Sequence, residues 1–513
     1  MDSLHVYNSL SRTKETFIPI KPPFVGLYVC GPTVYGNAHL GHARSAITFD
    51  TVFRFLTDSG YKVRYVRNIT DVGHLVNDGD DGESKVEKQA RLEQLEPMEV
   101  AQRYFNSYIR DMTMLNVLRP SIEPRATGHI PEQIEAIEQI LENGYAYVSN
   151  GSVYFDTQAY NKDFEYGTLS GRDLENIISE SRDNLEGQGE KRHSADFALW
   201  KKANPEHIMR WHSPWSEGFP GWHIECTVMS TKYLGIKYDI HGGGMDLLFP
   251  HHEAEIAQSN ACNCHAPADQ LNEAKYWLHN NMITYEGQKM GKSLGNAISL
   301  EAFFKGYHFS EVKQENLLEK AYDPMTIRFF ILQAHYRSTL DFSNQALQAS
   351  EKALKRIIES AKRLDAVQSE GRSVLLNDEF EQNLSSFLTD AKGYMNDDFN
   401  TARVIARIFD ALPAVNQLFA EKTLALSVKP ETLNQFKLDF YRVLEKWLGI
   451  KVEASEDSSA DVVDGLMKMI IEIRATARKE KNWGTADLIR DNLHNLAIKL
   501  EDSAEGTEWY YES

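Results

Sequence analysis

Two imidazoles three residues apart, His39 and His42, flank Leu40-Gly41 just after an apolar run from Phe24 to Val29. A strand ending there, followed by a helix that begins near Leu40, sets both rings at a helix N-terminus, where unpaired backbone N–H groups favour anions. Far downstream, Lys289-Met290-Gly291-Lys292-Ser293 places two cations and a hydroxyl in a short glycine-containing loop. In this order the two stretches meet the needs of adenylate formation from ATP: donors for the phosphates, and mobile cations for the departing pyrophosphate. A single histidine is more often a surface or core residue, and a lone lysine loop is more often solvated surface. Only the joint pattern overrides those bland readings.

A second constellation has ligand chemistry. In Pro250-His251-His252-Glu253-Ala254-Glu255, His251 and Glu255 are four residues apart and share a face if a helix starts here. An imidazole and a carboxylate make half a tetrahedral zinc site. Cys30 ends the first strand and Cys226 follows Gly221-Trp222-His223-Ile224-Glu225, so both thiols can complete the set if two halves of a sheet meet. On spacing alone, two small buried hydrophobes, the usual fate of lone cysteines, are the favoured reading. In Cys262-Asn263-Cys264-His265 the C-x-C spacing is too tight for a common zinc motif, which favours incidental cysteines on a loop.

The elements that must position these groups are those of an α/β protein. Phe24 to Val29 and Lys62 to Arg67 read as strands, Ala43 to Ser59 as an amphipathic helix, and Gly79 to Lys88 as a mobile loop leading into helix. Together they predict a Rossmann-like, doubly wound parallel sheet with its phosphate site at the strands' carboxyl edge. Between about 120 and 221 an insertion is expected. It has aromatic strands, hairpin-like turns at Glu142-Asn143-Gly144 and Ser149-Asn150-Gly151, and a flexible stretch from Glu186 to Arg192. A second α/β half follows from Trp222 to Asn296. Beyond Pro324 the pattern is helical, with a polar linker at Glu453 to Ser459 before a last small region. The expected domains are therefore 1–323, 324–452 and 453–513.

At 513 residues the chain is too long for one core. It has no run suited to a signal peptide or membrane span, and a cytoplasmic protein without disulfides is expected. A net charge of -19 argues at first against a nucleic-acid partner. Clustering matters more than the sum, however, and Lys352, Lys355, Arg356, Lys362 and Arg363 can form a basic patch on one helix.

The chain resembles the cysteinyl-tRNA synthetase family of class I aminoacyl-tRNA synthetases. Tyr28-Val29-Cys30-Gly31-Pro32-Thr33-Val34-Tyr35 leading to His39-Leu40-Gly41-His42 is similar to the family's HIGH region, with leucine for isoleucine. Lys289 to Asn296 is similar to its KMSKS loop, with Gly291 for the central serine. Gly221 to Cys226, His241 to Glu253, His335 to Phe342 and Ala486 to Asp491 extend the likeness over nearly the whole chain.

The resemblance implies zinc ligands Cys30, Cys226, His251 and Glu255, and catalytic roles for His39, His42, Lys289 and Lys292. It implies ATP contacts at Gly41, Gly243 and Asp246 with Mg2+ accompanying the nucleotide. It also implies amino-acid contacts at Thr33 and Trp222, with His223 on the substrate or metal side. The implied partners are ATP, L-cysteine and tRNA(Cys), with Trp483 and Arg490 as candidate tRNA contacts, and a monomer is expected. Two departures stand out: Gly291 loosens the ATP loop, and the C-terminal Glu508 to Ser513 lacks basic residues. Three rivals share parts of the pattern. A small-molecule cysteine ligase lacks the long helical region, a nucleotidylyltransferase needs no metal set, and a non-catalytic RNA-binding relative would have lost the histidines and lysines.

Overall fold

In the computed structural model, the apolar run Phe24–Val29 (β1) is the inner strand from which the catalytic sheet is built. The residues described are 3–75, 83–181, 189–290, 294–367, 378–421, 424, 427–452, 456–495, 498–503 and 506–511. Helix α1 (Leu40–Asp58) carries the chain from β1 to β2 (Lys62–Arg67), which lies parallel to β1 with Leu27 opposite Tyr65. Later, α2 (Ile224–Leu234) leads into β3 (Tyr238–Gly244), and α3 (Glu253–Cys262) crosses to β4 (Ala274–Asn280). The order is β4-β3-β1-β2, all parallel, with Ile240 of β3 opposite Leu27 of β1.

The chain leaves β1 toward one edge and β3 toward the other. A crevice therefore opens at their carboxyl ends, the place where doubly wound sheets bind ligands. The core beneath it includes Tyr28, Val66, Ile69, Met229 and Trp277, all at 3% exposure or less.

The insertion is a five-stranded antiparallel sheet in the order Ala146–Ser149, Ser152–Phe155, Phe197–Lys202, Glu217–Pro220, Trp211–His212. Asn150 and Gly151 (φ 52° and 88°) form its first hairpin turn, as both central positions of a primed turn require positive φ. The other expected hairpin is corrected. Glu142 ends the helix Ile130–Glu142, and Gly144 (φ 84°) closes it as a left-handed cap. Part of the Glu186 to Arg192 stretch, and residues 79–82 of the Gly79 to Lys88 stretch, lie outside the described residues; Lys85–Glu93 is helical.

After β4, Ile283–Tyr285 pairs with Leu340–Phe342 in parallel and with Gln288–Lys289 antiparallel. Helices Pro324–Leu332, Asn344–Ala366, Asp378–Asn396, Thr401–Ala420 and Pro430–Tyr441 follow, the last continuing through Arg442–Trp447.

The chain divides into two compact units, Met1–Ile450 and Lys451–Ser513. The second holds helices Glu456–Lys479 and Trp483–Asn495 and a hairpin, Ile498–Ser503 with Gly506–Tyr511, around Met467, Leu493 and Ile498. Two expectations are corrected here. Of the expected linker, residues 453–455 lie outside the described residues, and from Glu456 the chain is already helical. The tail is not wholly helical, because Leu500 and Trp509 face one another across a strand pair instead of lying at helical spacing. Among the described residues no helix is long and apolar enough to cross a membrane.

Candidate active site and metal cluster

The phosphate end of the crevice is built by the helix start itself. His39 caps α1: its Nδ1 accepts the Gly41 N–H at 3.1 Å, while His42 Nδ1 accepts the His39 N–H at 3.1 Å. A backbone N–H can only donate, so both Nδ1 atoms are unprotonated acceptors. In each neutral ring the proton therefore sits on Nε2. The two half-buried rings lie 4.0 Å apart and present two Nε2–H donors together. A Cβ at Gly41 would come within 2.9 Å of the His39 ring, so the glycine makes room for the cap.

The second signature approaches through its flanks. Asn296 donates to the Lys289 carbonyl at 3.2 Å, Ser299 bridges to His39, and the Leu300 N–H bonds the Ala38 carbonyl at 2.8 Å. The downstream end of the lysine loop is thus stitched to the histidine turn. Lys289 is exposed at its strand end. Gly291, Lys292 and Ser293 lie outside the described residues.

The expected metal donors come together. Cys30 sits just past β1, Cys226 in the first turn of α2, His251 in the turn Leu248–His252 that leads into α3, and Glu255 in the first turn of α3. Cys30 Sγ is 3.8 Å from Cys226 Sγ and 3.6 Å from Glu255 Oε1, and His251 Nε2 is 3.2 Å from Glu255 Oε1. Tetrahedral zinc with Zn–S of about 2.3 Å and Zn–N/O of about 2.0 Å has edges of about 3.8, 3.5 and 3.3 Å. The set fits a tetrahedral ion. Glu255 Oε2 is buried without a hydrogen-bond partner. Burial raises both thiols and the Glu255 carboxyl and lowers His251, so each group is held neutral in the absence of a cation.

Histidines that sequence reasoning did not single out surround this cluster. His241 Nε2 and His252 Nε2 lie 3.5 and 3.3 Å from Cys30 Sγ, so Cys30, His241, His252 and Glu255 form an overlapping second quartet. Their Nδ1 atoms meet Tyr238 Oη at 2.7 Å and His279 Nε2 at 2.8 Å. His223 Nδ1 is 2.8 Å from His251 Nδ1, which leaves His251 Nε2 for the cluster. Scattered through the sequence, His241, His252 and His279 carry no spacing signal, whereas His223 is the ring expected on the substrate or metal side. Cys262 and Cys264 join neither quartet and pack at the edge of the core below the insertion.

The glycine run serves the protein's own side chains. Added Cβ atoms at Gly242, Gly243 and Gly244 would meet the Phe49 ring at 2.2 Å, His252 Cε1 at 2.6 Å and Asp246 Oδ1 at 2.2 Å. Asp246 itself is exposed. On the crevice wall, the Trp222 indole lies between two imidazoles, 4.0 Å and 9° from His74 and 4.4 Å and 32° from His251. Thr33 Oγ1 is 2.6 Å from His74 Nδ1. In the second unit Trp483 is exposed, while Arg490 is engaged by Asp487 and Asp491.

A parallel sheet with donor-bearing loops at its switch point and a helical region behind it is the architecture of a class I synthetase. Mycobacterium tuberculosis methionyl-tRNA synthetase in complex with methionyl-adenylate shares this fold, with a TM-score of 0.57 at 14% identity over 83% of this chain and 92% of that one. Residues 16–352 match the catalytic domain of the class I (C) tRNA synthetases, and residues 393–450 match the DALR domain. Cysteine–tRNA ligases of Bacteroides thetaiotaomicron and Porphyromonas gingivalis are each 55% identical to the chain. They cover 99% of it, and it spans 98% and 99% of their lengths. The chain belongs to the cysteine–tRNA ligase family.

Proposed function

We propose that the chain is an ATP-dependent cysteine–tRNA ligase that joins L-cysteine to tRNA(Cys), acting as a monomer in the cytoplasm. Family membership supports the reaction class. The observation that carries the amino-acid choice is the four-donor cluster at the carboxyl edge of the sheet, beside the paired imidazoles of α1. Cys30, Cys226, His251 and Glu255 would hold zinc, a Lewis acid that favours a thiolate over a hydroxyl and so separates cysteine from serine.

The remaining chemistry is positioning and charge. The cysteine carboxylate attacks the α-phosphate, the new C–O–P bond forms, and the α–β phosphoanhydride bond breaks to release pyrophosphate. His39 and His42 donate Nε2–H bonds to phosphate oxygens. Lys289 and Lys292 offset charge on the leaving group, and Mg2+ accompanies the ATP. Gly41 and Gly243 would border the nucleotide, with Asp246 accepting from a ribose hydroxyl. In the second step the terminal ribose hydroxyl of the tRNA attacks the adenylate carbonyl, and AMP leaves. The exposed Lys352, Lys355, Arg356, Lys362 and Arg363 on the helix Asn344–Ala366 support a polyanionic partner.

ATP–pyrophosphate exchange with cysteine and with serine, on zinc-loaded and chelator-stripped protein, tests the reading. Exchange should favour cysteine by more than the about 100-fold that shape alone supplies, and should fall on stripping. Equal exchange with serine, or exchange untouched by complete zinc removal, would refute the zinc assignment.

A further inference from the structure

Segment 70–75, which follows β2, is zipped onto the turn that follows β1. Val34 N–H bonds the Thr70 carbonyl, and Thr70 N–H bonds the Pro32 carbonyl, each at 3.1 Å. Gly73 then turns with φ 81°, and an added Cβ would lie 2.6 Å from the Pro220 carbonyl oxygen. Only glycine lets this turn press against the segment that carries Trp222. The next residue, His74, is 8% exposed and lies flat on the Trp222 indole. Its Nδ1 is 2.6 Å from Thr33 Oγ1 and its Nε2 is 2.7 Å from Lys85 Nζ.

The directions of these bonds follow from donor inventories. An ammonium group has donors only, so Lys85 donates to His74 Nε2. The His74 proton is then on Nδ1 and is donated to Thr33 Oγ1. The Thr33 hydroxyl hydrogen must turn elsewhere, and among the described residues Thr33 Oγ1 has no second hydrogen-bond partner. The result is a one-way chain, Lys85 to His74 to Thr33, ending in an O–H donor on the crevice turn between Cys30 and His39. The same imidazole backs the indole that also lies against His223 and the cluster residue His251.

We propose that His74 is a positioning residue for the amino-acid half of the reaction: it commits the Thr33 hydroxyl proton to a carboxylate oxygen of the bound amino acid and holds Trp222 as the wall over the thiol end. The inference rests on the cysteine-activation reading above, and to the expected amino-acid contacts at Thr33 and Trp222 it adds a role for His74. It predicts an effect on one substrate only. Losing a hydrogen bond to a carboxylate is worth about tenfold in affinity, and the nucleotide site lies on other residues.

The test is pyrophosphate exchange with the full chain, measuring KM for cysteine and for ATP together with metal content. His74→Phe keeps a flat ring on Trp222 and removes both hydrogen bonds. It should raise KM for cysteine about tenfold, leaving KM for ATP and the metal per chain unchanged. His74→Asn, whose amide can reach the Nδ1 position, should recover part of that loss. In a Thr33→Val background His74→Phe should add nothing, because its partner hydroxyl is already gone.

An unchanged KM for cysteine in His74→Phe, KM values for cysteine and ATP that rise together, or full additivity with Thr33→Val would each overturn the role. If His74→Phe fails to fold, Thr33→Val against Thr33→Ser decides, since only the valine should raise KM for cysteine. A wild-type chain that exchanges with neither cysteine nor serine would overturn the activation reading and this role with it. Normal wild-type exchange with a flat variant response overturns this role alone.

Discussion

Glu273 is fully buried and lies at the end of a hydrogen-bonded line into the candidate metal cluster. Its Oε1 accepts from the Ser230 and Tyr238 hydroxyls, and Tyr238 Oη is 2.7 Å from His241 Nδ1, whose other nitrogen faces Cys30. Burial outweighs the two donors and lifts the Glu273 carboxyl from 4.5 to about 7. The folded chain thus holds a proton that the unfolded chain releases near pH 4.5. Stability from this group is complete below that pH and is lost as pH rises to about 7. The full loss is about 3 kcal/mol. In Glu273→Gln the amide oxygen still accepts from both hydroxyls and nothing titrates. Melting curves from pH 5 to 8 should show the variant gaining on the parent as pH rises; parallel curves would refute the assignment. None of this line was visible in the sequence. Ser230, Tyr238, His241 and Glu273 have no motif spacing, and only the close packing of β3 against β4 aligns them.

Helix α1 joins the chemical end of the molecule to the helical region. Its first turn presents His39 and His42. One turn on, the buried Arg44 donates to the carbonyls of Ile331, His335, Tyr336 and Ser338, which end the helix Pro324–Leu332 and the loop beyond it. Further along, Asp50 pairs with Arg54 and with the fully buried Arg328. Arg328 also bonds the carbonyls of Leu448 at 2.6 Å and Leu115 at 3.0 Å, and a Cβ at Gly449 would strike its guanidinium at 2.4 Å. Arg328→Ala leaves Asp50 half-paired and several carbonyls orphaned in the interior. It should cost about 3–5 kcal/mol, read as a lowered unfolding midpoint in urea; a loss under 1 kcal/mol would show the hub to be incidental. At this scale the sequence was informative where periodicity is local. β1, β2 and α1 fall where apolar runs placed them, because each buries a contiguous stretch. The hairpin of 498–503 with 506–511 escaped because its alternation ends at Asp502 after only Ile498 and Leu500, and the pairing depends on a partner strand that no local pattern names. The cluster was half legible: His251 and Glu255 by helical spacing, Cys30 and Cys226 only on the condition that two halves of a sheet meet or through family resemblance, since their meeting requires the strand order itself.

For the whole molecule, the chain divides after Ile450 into two compact units. Every described group invoked for cysteine activation lies in Met1–Ile450, as do the buried Asp50–Arg328 hub and the basic face of the helix Asn344–Ala366. Residues 451–513 carry their own small core of Met467, Leu493 and Ile498, packed with Ile470, Ile489, Leu500 and Trp509, and they leave Trp483 at 59% exposure. An indole so exposed suits stacking on an unpaired base, where one contact is worth about 1–3 kcal/mol. A chain ending at Ile450 should therefore keep cysteine-dependent pyrophosphate exchange within about threefold, because the adenylate chemistry loses none of its groups. Its kcat/KM for charging tRNA should fall by about tenfold or more, the equivalent of one lost base contact. Assaying both reactions on the same preparation separates the possibilities. Loss of exchange would mean that the last 63 residues support the fold of the first unit; unchanged charging would mean that tRNA is read entirely within residues 1–450. A fall in charging alone assigns the second unit to the nucleic acid, although the chain as a whole is acidic. The charge that a polyanion meets is then set by the basic residues of the helix Asn344–Ala366, not by the net -19.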